Sequence, residues 1–455
     1  MADGQTIGAT SPGAASTPLL ASAQAATAGA GPAESIGTFH ALGLRDYRLL
    51  WISNLFASAG MWIQMATLGW VVYDLTGSGT LLGAMNGTRA IPFLLLAPLA
   101  GVAADRMNRR AIMLGTQVVT VLIALGLAIG LALDRVIIWH LFAFSFISAA
   151  VQVFYMPVQQ TVVFDLVPRR VVPNAVALGS AAFNITRVLG PSIAGFLIAG
   201  LGPEGNFFVQ SAAYMGVVIS IAMITFPVRL APPGGPSVAR NIAEGFRYVV
   251  KDRTTRVLLM LAIIPPLLII PSMMALMPVF AKDIFHSGPT GLGLLLSASG
   301  LGGLLGALFT ASLGRFERRG LMQLGVLLLA SSALFAFGFT RSMGAALPLL
   351  VVAGFGEMIY MTTNQTMLQL SVPDHMRGRV TSLFMLTMAL MPAGAMLFGG
   401  AADLVGAPAV VKGASAAALG LGLLLLVFAP RVRNLRLSQV GSAAASAHPP
   451  AGSGA

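Results

Sequence analysis

Three ionisable side chains lie deep inside otherwise apolar stretches of this chain: Arg89, Arg187 and Glu357. If those stretches cross a bilayer, a rise of about 1.5 Å per residue places each roughly 14–20 Å from the nearer surface. A charge at that depth costs at least about 2.5–3.5 kcal/mol, so it normally faces a cavity or another charge and marks function. Glu357 is the acid of the three. A carboxylate there can carry a proton, because burial favours its neutral form and a nearby arginine its charged form, and a change in the cavity alters the balance. Two other readings stay open: a static ion pair that holds helices together, or direct contact with a solute. The two arginines outnumber the acid, which suits an anionic ligand. Equally, Arg187 could brace its helix through backbone carbonyls.

The elements that must hold these residues are legible in the hydropathy. With 56% hydrophobic and 9% charged residues and a mean hydropathy of +0.84, the composition is not that of a soluble globular protein. Twelve apolar runs are long enough to cross a hydrocarbon core of about 30 Å. They cover residues 50–73, 80–103, 111–132, 136–162, 173–200, 206–228, 257–281, 290–313, 320–340, 344–369, 379–402 and 407–429. An all-α membrane protein is expected, with Arg89 in span two, Arg187 in span five and Glu357 in span ten.

The runs fall into two similar sets. Tyr155-Met-Pro-Val-Gln-Gln-Thr161, leading to Val167-Pro168, is echoed by Tyr360-Met-Thr-Thr-Asn-Gln-Thr366, leading to Val372-Pro373. Two parallel copies of one hydrophobic pattern suggest two six-helix bundles that rock about a central site, the construction of a transporter. Tyr155, Gln160, Tyr360, Asn364 and Gln365 recur on spans four and ten and are candidate cavity residues. Their polar groups could bind a ligand or satisfy one another. Glu357 stands where the first copy has Gln152, so its charge is not inherited from the repeat.

The organisation read from this pattern has five parts. Residues 1–38 form a low-complexity tail without the basic start and continuous apolar run of a signal peptide. Residues 39–228 form the first bundle, and 229–256 a linker whose run Asn241–Asp252 places Ile242, Phe246 and Val249 on one helix face at the membrane interface. Residues 257–430 form the second bundle, and 431–455 a second tail. Glycine-rich runs such as Gly300–Gly306 are expected to let helices pack closely.

The formal charge of +12 is distributed by topology. Of 27 Lys and Arg, nearly all fall on the side of the two tails; Arg135, Lys282, Arg341 and Lys412 lie opposite, and Arg89 and Arg187 lie within spans. That asymmetry places both termini in the cytoplasm and implies contact with anionic lipids, not nucleic acid. The chain has no cysteine, which excludes disulfides and thiolate metal sites. Lys251, Lys282 and Lys412 are followed by Asp, Asp and Gly, so no phosphate-binding Gly-Lys-Ser/Thr loop exists and transport driven by the chain's own ATP hydrolysis is not expected. No enzyme activity, metal or cofactor is expected.

Between spans two and three stands Gly101-Val-Ala-Ala-Asp105-Arg106-Met-Asn-Arg109-Arg110, and at the matching place in the second half Leu313-Gly-Arg315-Phe-Glu317-Arg318-Arg319-Gly320. The first resembles the Gly-x-x-x-Asp-Arg-x-x-Arg-Arg loop of the major facilitator superfamily. The resemblance implies that Gly101, Asp105, Arg106, Arg109 and Arg110 form a latch for the outward-facing state. Physically, a carboxylate among guanidinium groups can hold one arrangement of the halves; the alternative is that the arginines only obey the charge asymmetry. Asn184-Ile-Thr-Arg187-Val-Leu-Gly190-Pro191 is similar to a Gly-Pro motif of exporters in that superfamily, and Gly190 and Pro191 could form a hinge or merely pack tightly. Leu44–Arg48, Gly69–Gly77 and Pro373–Val380 resemble the subgroup of enterobactin exporters and macrolide efflux permeases.

That resemblance implies a major facilitator fold and proton-driven export of a siderophore or drug-like compound from the bacterial inner membrane. A monomer is the default expectation, with its small-molecule substrate, protons and membrane lipids as partners. Span one has no interior acid, and span four lacks the arginine motif of many proton antiporters, so coupling by those routes is not expected. An importer on the same fold is the first alternative and a non-transporting receptor or scaffold the second.

Overall fold

A computed structural model describes residues 37–226, 238–314, 316–388 and 390–436. The expected tails and the first part of the linker fall largely outside these residues. The described chain is almost wholly helical. Eleven helical stretches are long and apolar enough to span a membrane. One of them, Val172–Ala222, is 51 residues long and reverses at Gly202, whose φ of 72° and ψ of 170° break the helix. A residue with a side chain is strained at that φ, and Pro203 follows, so the turn between spans five and six is written locally. The twelve expected spans are therefore present.

Span one is Arg45–Thr76, span two Gly79–Thr88 with Ala90–Arg106, span three Arg109–Ala132 and span four Ile138–Leu166. Span eight is Gly288–Ser312, span nine Arg319–Phe337, span ten Met343–Leu370, span eleven Asp374–Met388 with Leu390–Val405, and span twelve Ala407–Phe428. Span seven starts as Arg253–Leu261 and continues irregularly to Ile284 through π-helical turns at Pro265–Ile269 and Phe280–Ile284. Pro265, Pro266, Pro271 and Pro278 each lack the N–H that a regular helix would use, which accounts for the broken ladder.

The outer helix surfaces are apolar and exposed, as at Leu122, Phe196, Leu308 and Phe428. Polar pairs lie inside instead: Gln210 donates to Gln64 at 2.8 Å, Gln159 to Asn54 at 2.7 Å, and Asn206 to Thr67. In lipid this inversion is required, because buried amides have no water to turn to.

The two bundles do not meet evenly along their length. We call the face bearing the starts of spans one and seven the terminal face, and the opposite one the distal face. On the distal side a single apolar cluster crosses the halves, joining Trp70, Val71 and Leu82 to Met277, Phe280 and Leu295. On the terminal side the clusters stay within one half: Tyr155, Ile112 and Val217 in the first, Val249, Met367 and Val380 in the second. Spans two and eleven touch where Gly83 faces Ala395, then show exposed side chains over their terminal portions, as at Leu95, Leu99 and Met385. The bundles are joined distally and splayed toward the terminal face.

The linker helix Val238–Lys251 packs on the terminal end of the second bundle. Val249 is buried in the cluster with Met376 and Val380, and Gly245 lies against Arg379, while Phe246 stays exposed. The face expected to lie wholly in the interface is thus divided between protein and surroundings.

Candidate functional site

Arg187 and Glu357 meet across the two bundles. The Arg187 guanidinium on span five lies 3.4 Å from Glu357 Oε2 on span ten, with both side chains largely buried. A second guanidinium nitrogen lies 3.6 Å from Met358 Sδ. Span eight stands between these helices, and Gly303 is the position it leaves open: a Cβ there would sit 2.9 Å from Cζ of Arg187 and 3.0–3.1 Å from its terminal nitrogens. The absence of a side chain lets the arginine pass over one helix to reach another. Nearer the distal side, Ser192 Oγ donates to Ser297 Oγ at 2.7 Å, a further bond between spans five and eight.

Arg89 does not join this pair. It occupies the break between the two helical pieces of span two, within electrostatic reach of Tyr214, which in turn faces Tyr155. Among the described residues it forms no ion pair, so the one unneutralised charge of the three belongs to the first bundle.

The repeat tyrosines have different surroundings. Tyr360 donates to the Leu261 carbonyl at 2.9 Å, and Asn364 to the Leu258 carbonyl at 3.1 Å. The Leu261 carbonyl would accept from residue 265 in a regular helix, but Pro265 has no N–H to give. Tyr360 therefore satisfies an acceptor that proline orphaned. Tyr155 is equally buried, but the span it faces is an unbroken helix with no orphaned carbonyl to offer, and its hydroxyl lies near that of Ser53 without a hydrogen bond of normal geometry. Gln160 is exposed and Gln365 half-buried. Gly190 packs on Trp62, and the helix runs unbroken through Pro191.

The distal mouth is held by polar contacts between the halves. Tyr73 donates to Asp283, and Lys282 Nζ lies 2.6 Å from Asp74 Oδ1. Asp403, on span eleven, accepts from the backbone N–H groups of Gly79 at 2.6 Å and Thr80 at 2.9 Å, and from the hydroxyls of Ser78 at 2.8 Å and Thr80 at 2.6 Å. A carboxylate from the second bundle thus caps the N-terminus of span two in the first, where free N–H groups and the helix dipole favour an anion.

At the terminal face, the residues expected to form a latch are described only in part. Arg109 pairs with Asp165 at the end of span four, and Arg110 donates to the Ala222 carbonyl at 2.6 Å. Both contacts lie within the first bundle. Gly101 stands in open space. The side chains of Asp105 and Arg106 lie outside the described ones.

Residues 36–450 match the family described as transmembrane secretion effector, a branch of the major facilitator superfamily. The chain belongs to that family. It is thus a transporter of small molecules by family, a multi-pass membrane protein and not an enzyme. Among its relatives, the multidrug efflux pump Tap of Mycolicibacterium fortuitum is 28% identical over 86% of the present chain and 97% of its own. The staphyloferrin A transporter of Staphylococcus aureus is 23% identical over 78% of this chain and 89% of its own. In three dimensions, a mutant of the nucleoside transporter NupG superposes with a TM-score of 0.68 at 13% identity, covering 83% of this chain and 99% of that one, which shows the major facilitator fold.

Several residues of the site escaped sequence reading. Asp283, Asp403, Ser78 and Thr80 look like ordinary residues near loops. Tyr73 and Asp74 stood out only inside the Gly69–Gly77 resemblance, and Lys282 only as a topological charge and in the exclusion of a phosphate-binding loop. Asp165 had a signal available: the second copy of the repeat carries Leu370 at the same offset before its Val-Pro pair. Among the described residues no cluster of His, Asp or Glu could hold a metal ion. Ion pairs and caps placed between two movable bundles, by contrast, can respond to the position of those bundles.

Proposed function

We propose that this protein exports an amphipathic small molecule, of the siderophore or drug-like class, from the bacterial cytoplasm by alternating access coupled to protons. The observation that carries this reading is the Arg187–Glu357 pair, because its partners belong to different bundles. When the bundles rock, the distance between them must change. A carboxylate parted from its guanidinium in a low-dielectric site no longer has compensation for its charge and takes up a proton. Proton occupancy and conformation are then linked, which is what coupling requires.

The charge asymmetry of the loops makes the terminal face cytoplasmic. In the present state the substrate enters from that side, the distal mouth is shut, and Glu357 is paired after its proton has left inward. Opening the distal mouth separates Tyr73 from Asp283, Asp74 from Lys282 and Asp403 from span two. Glu357 is then protonated from outside as substrate leaves. In that second state the loop residues Gly101, Asp105, Arg106, Arg109 and Arg110 close the terminal mouth, and Gly190 and Pro191 give span five its bend. One proton drawn through 100 mV supplies about 2.3 kcal/mol, roughly fortyfold in concentration. Arg89, with Tyr214 within electrostatic reach, supplies positive potential for an anionic substrate group. Gln160 and Gln365 contribute further polar groups on spans four and ten, whereas Tyr360 and Asn364, buried and bonded to the Leu261 and Leu258 carbonyls, brace span seven.

The test is flux in proteoliposomes under an imposed proton gradient, with a panel of siderophores and macrolide-like drugs, for the wild type and Glu357→Gln. Gradient-driven movement lost in the variant, with binding retained, supports Glu357 as the coupling site. Unchanged coupled flux leaves it a brace between bundles. Accumulation in the cytoplasmic direction would make the protein an importer.

A further inference from the structure

Four arginines gather at the terminal face of the second bundle, remote from the Arg187–Glu357 pair. The Gly320 N–H donates to the Leu435 carbonyl at 3.1 Å, which pins the chain after span twelve against the start of span nine. Between that segment and the start of span seven opens a cleft of about 720 Å³, lined by Arg253, Thr254, Val257, Pro430, Asn434, Leu435 and Arg436. A second hollow of about 290 Å³ shares Asn434, Leu435 and Arg436 and adds Arg318 and Arg433.

These guanidinium groups are exposed, and among the described residues Arg253, Arg318 and Arg436 form no ion pair. Arg433 makes one long bond, 3.4 Å, to the Leu426 carbonyl. The nearest acid in sequence to the cleft, Asp252, is occupied as the cap of span seven, accepting from the Thr255 N–H at 2.6 Å. Four arginine forks against the two neighbouring acids Asp252 and Glu317, with Thr254 and Asn434 among them, leave a net positive site whose donors suit phosphate oxygens. Along the same helices, next to the cleft, the surface turns apolar and uncovered: Met260 is 60%, Val427 62% and Phe428 77% exposed. A ligand satisfying both parts has an anionic phosphate and an acyl chain.

We infer that this cleft binds the phosphate group of an anionic phospholipid, held by Arg253 and Arg436 with Arg318 and Arg433 behind them. The lipid bridges the start of span seven to the end of span twelve and to span nine, so it clamps the second bundle at the membrane surface. Free phosphate shares the polar chemistry but leaves the apolar flank uncovered.

The test uses the purified full-length protein in detergent, with phosphatidylglycerol, phosphatidylcholine or inorganic phosphate added and bound lipid counted by native mass spectrometry. Arg253→Gln/Arg436→Gln is compared with Arg169→Gln/Arg170→Gln, which removes two exposed charges from the terminal face of the first bundle. At roughly fivefold per arginine, the cleft variant should bind phosphatidylglycerol about 25-fold more weakly, with the control close to wild type. Equal affinity in the two variants would overturn the site. Arginine-dependent binding of inorganic phosphate without retention of phosphatidylglycerol would overturn the lipid as its source.

Discussion

Glu357 reaches Arg187 across span eight only because residue 303 is glycine. The pair therefore depends on three helices from two bundles, and it is the one buried ion pair described between the halves. Removing one partner leaves a buried charge uncompensated, which costs more than removing both. Arg187→Met alone should lower stability by about 3 kcal/mol, and Arg187→Met with Glu357→Met by clearly less. A double-mutant cycle from thermal unfolding in detergent measures this; additive losses would mean that the two side chains do not interact.

Gly303→Ala separates geometry from stability. The added Cβ would meet the mobile end of Arg187 and not backbone, so the helices can keep their packing while the guanidinium moves aside. The expected outcome is a loss of stability under about 1 kcal/mol together with a changed pH profile of transport. A wild-type profile in proteoliposomes would detach Gly303 from the coupling pair.

The Asp403 cap predicts a shift in conformational population. Asp403→Asn removes the charge at the N-terminus of span two and weakens four hydrogen bonds that hold the distal mouth. At about 1 kcal/mol for a lost cap, the distal-open form should rise about fivefold. Spin labels on cysteines placed at the distal ends of spans two and eleven would report it, and the natural chain has no cysteine to interfere. An unchanged distance distribution would remove Asp403 from the gate.

The paired tyrosines predict an asymmetry between the repeats. Tyr360→Phe leaves the Leu261 carbonyl orphaned inside the membrane and should cost about 1–3 kcal/mol. Tyr155→Phe removes a hydroxyl without a hydrogen bond of normal geometry and should be close to neutral or stabilising. Unfolding temperatures of the two variants in the same detergent decide the matter, and equal losses would contradict the role given to Pro265.

Much of the architecture is local and therefore readable from the chain. Hydropathy adds residue by residue, so the twelve spans, the two halves and the depth of Arg89, Arg187 and Glu357 follow from apolar run lengths. The break at Gly202-Pro203 likewise sits between two such runs, and the loop motif and the tyrosine repeat identify the superfamily. Which arginine answers Glu357 is not local: Arg89 and Arg187 lie at similar depth, and the choice is made by span eight, whose Gly303 opens a path to one of them. The roles of Tyr360 and Tyr155 diverge for the same reason, since Pro265 is plain in the sequence but its orphaned carbonyl gains meaning only once span ten packs beside it. Asp403 and Asp283 are loop-end acids until the bundles meet and set them against span two and Tyr73. Tertiary structure decided these partnerships because each joins residues from different helices, and in a membrane such encounters are governed by close packing and polar satisfaction, which hydropathy does not encode.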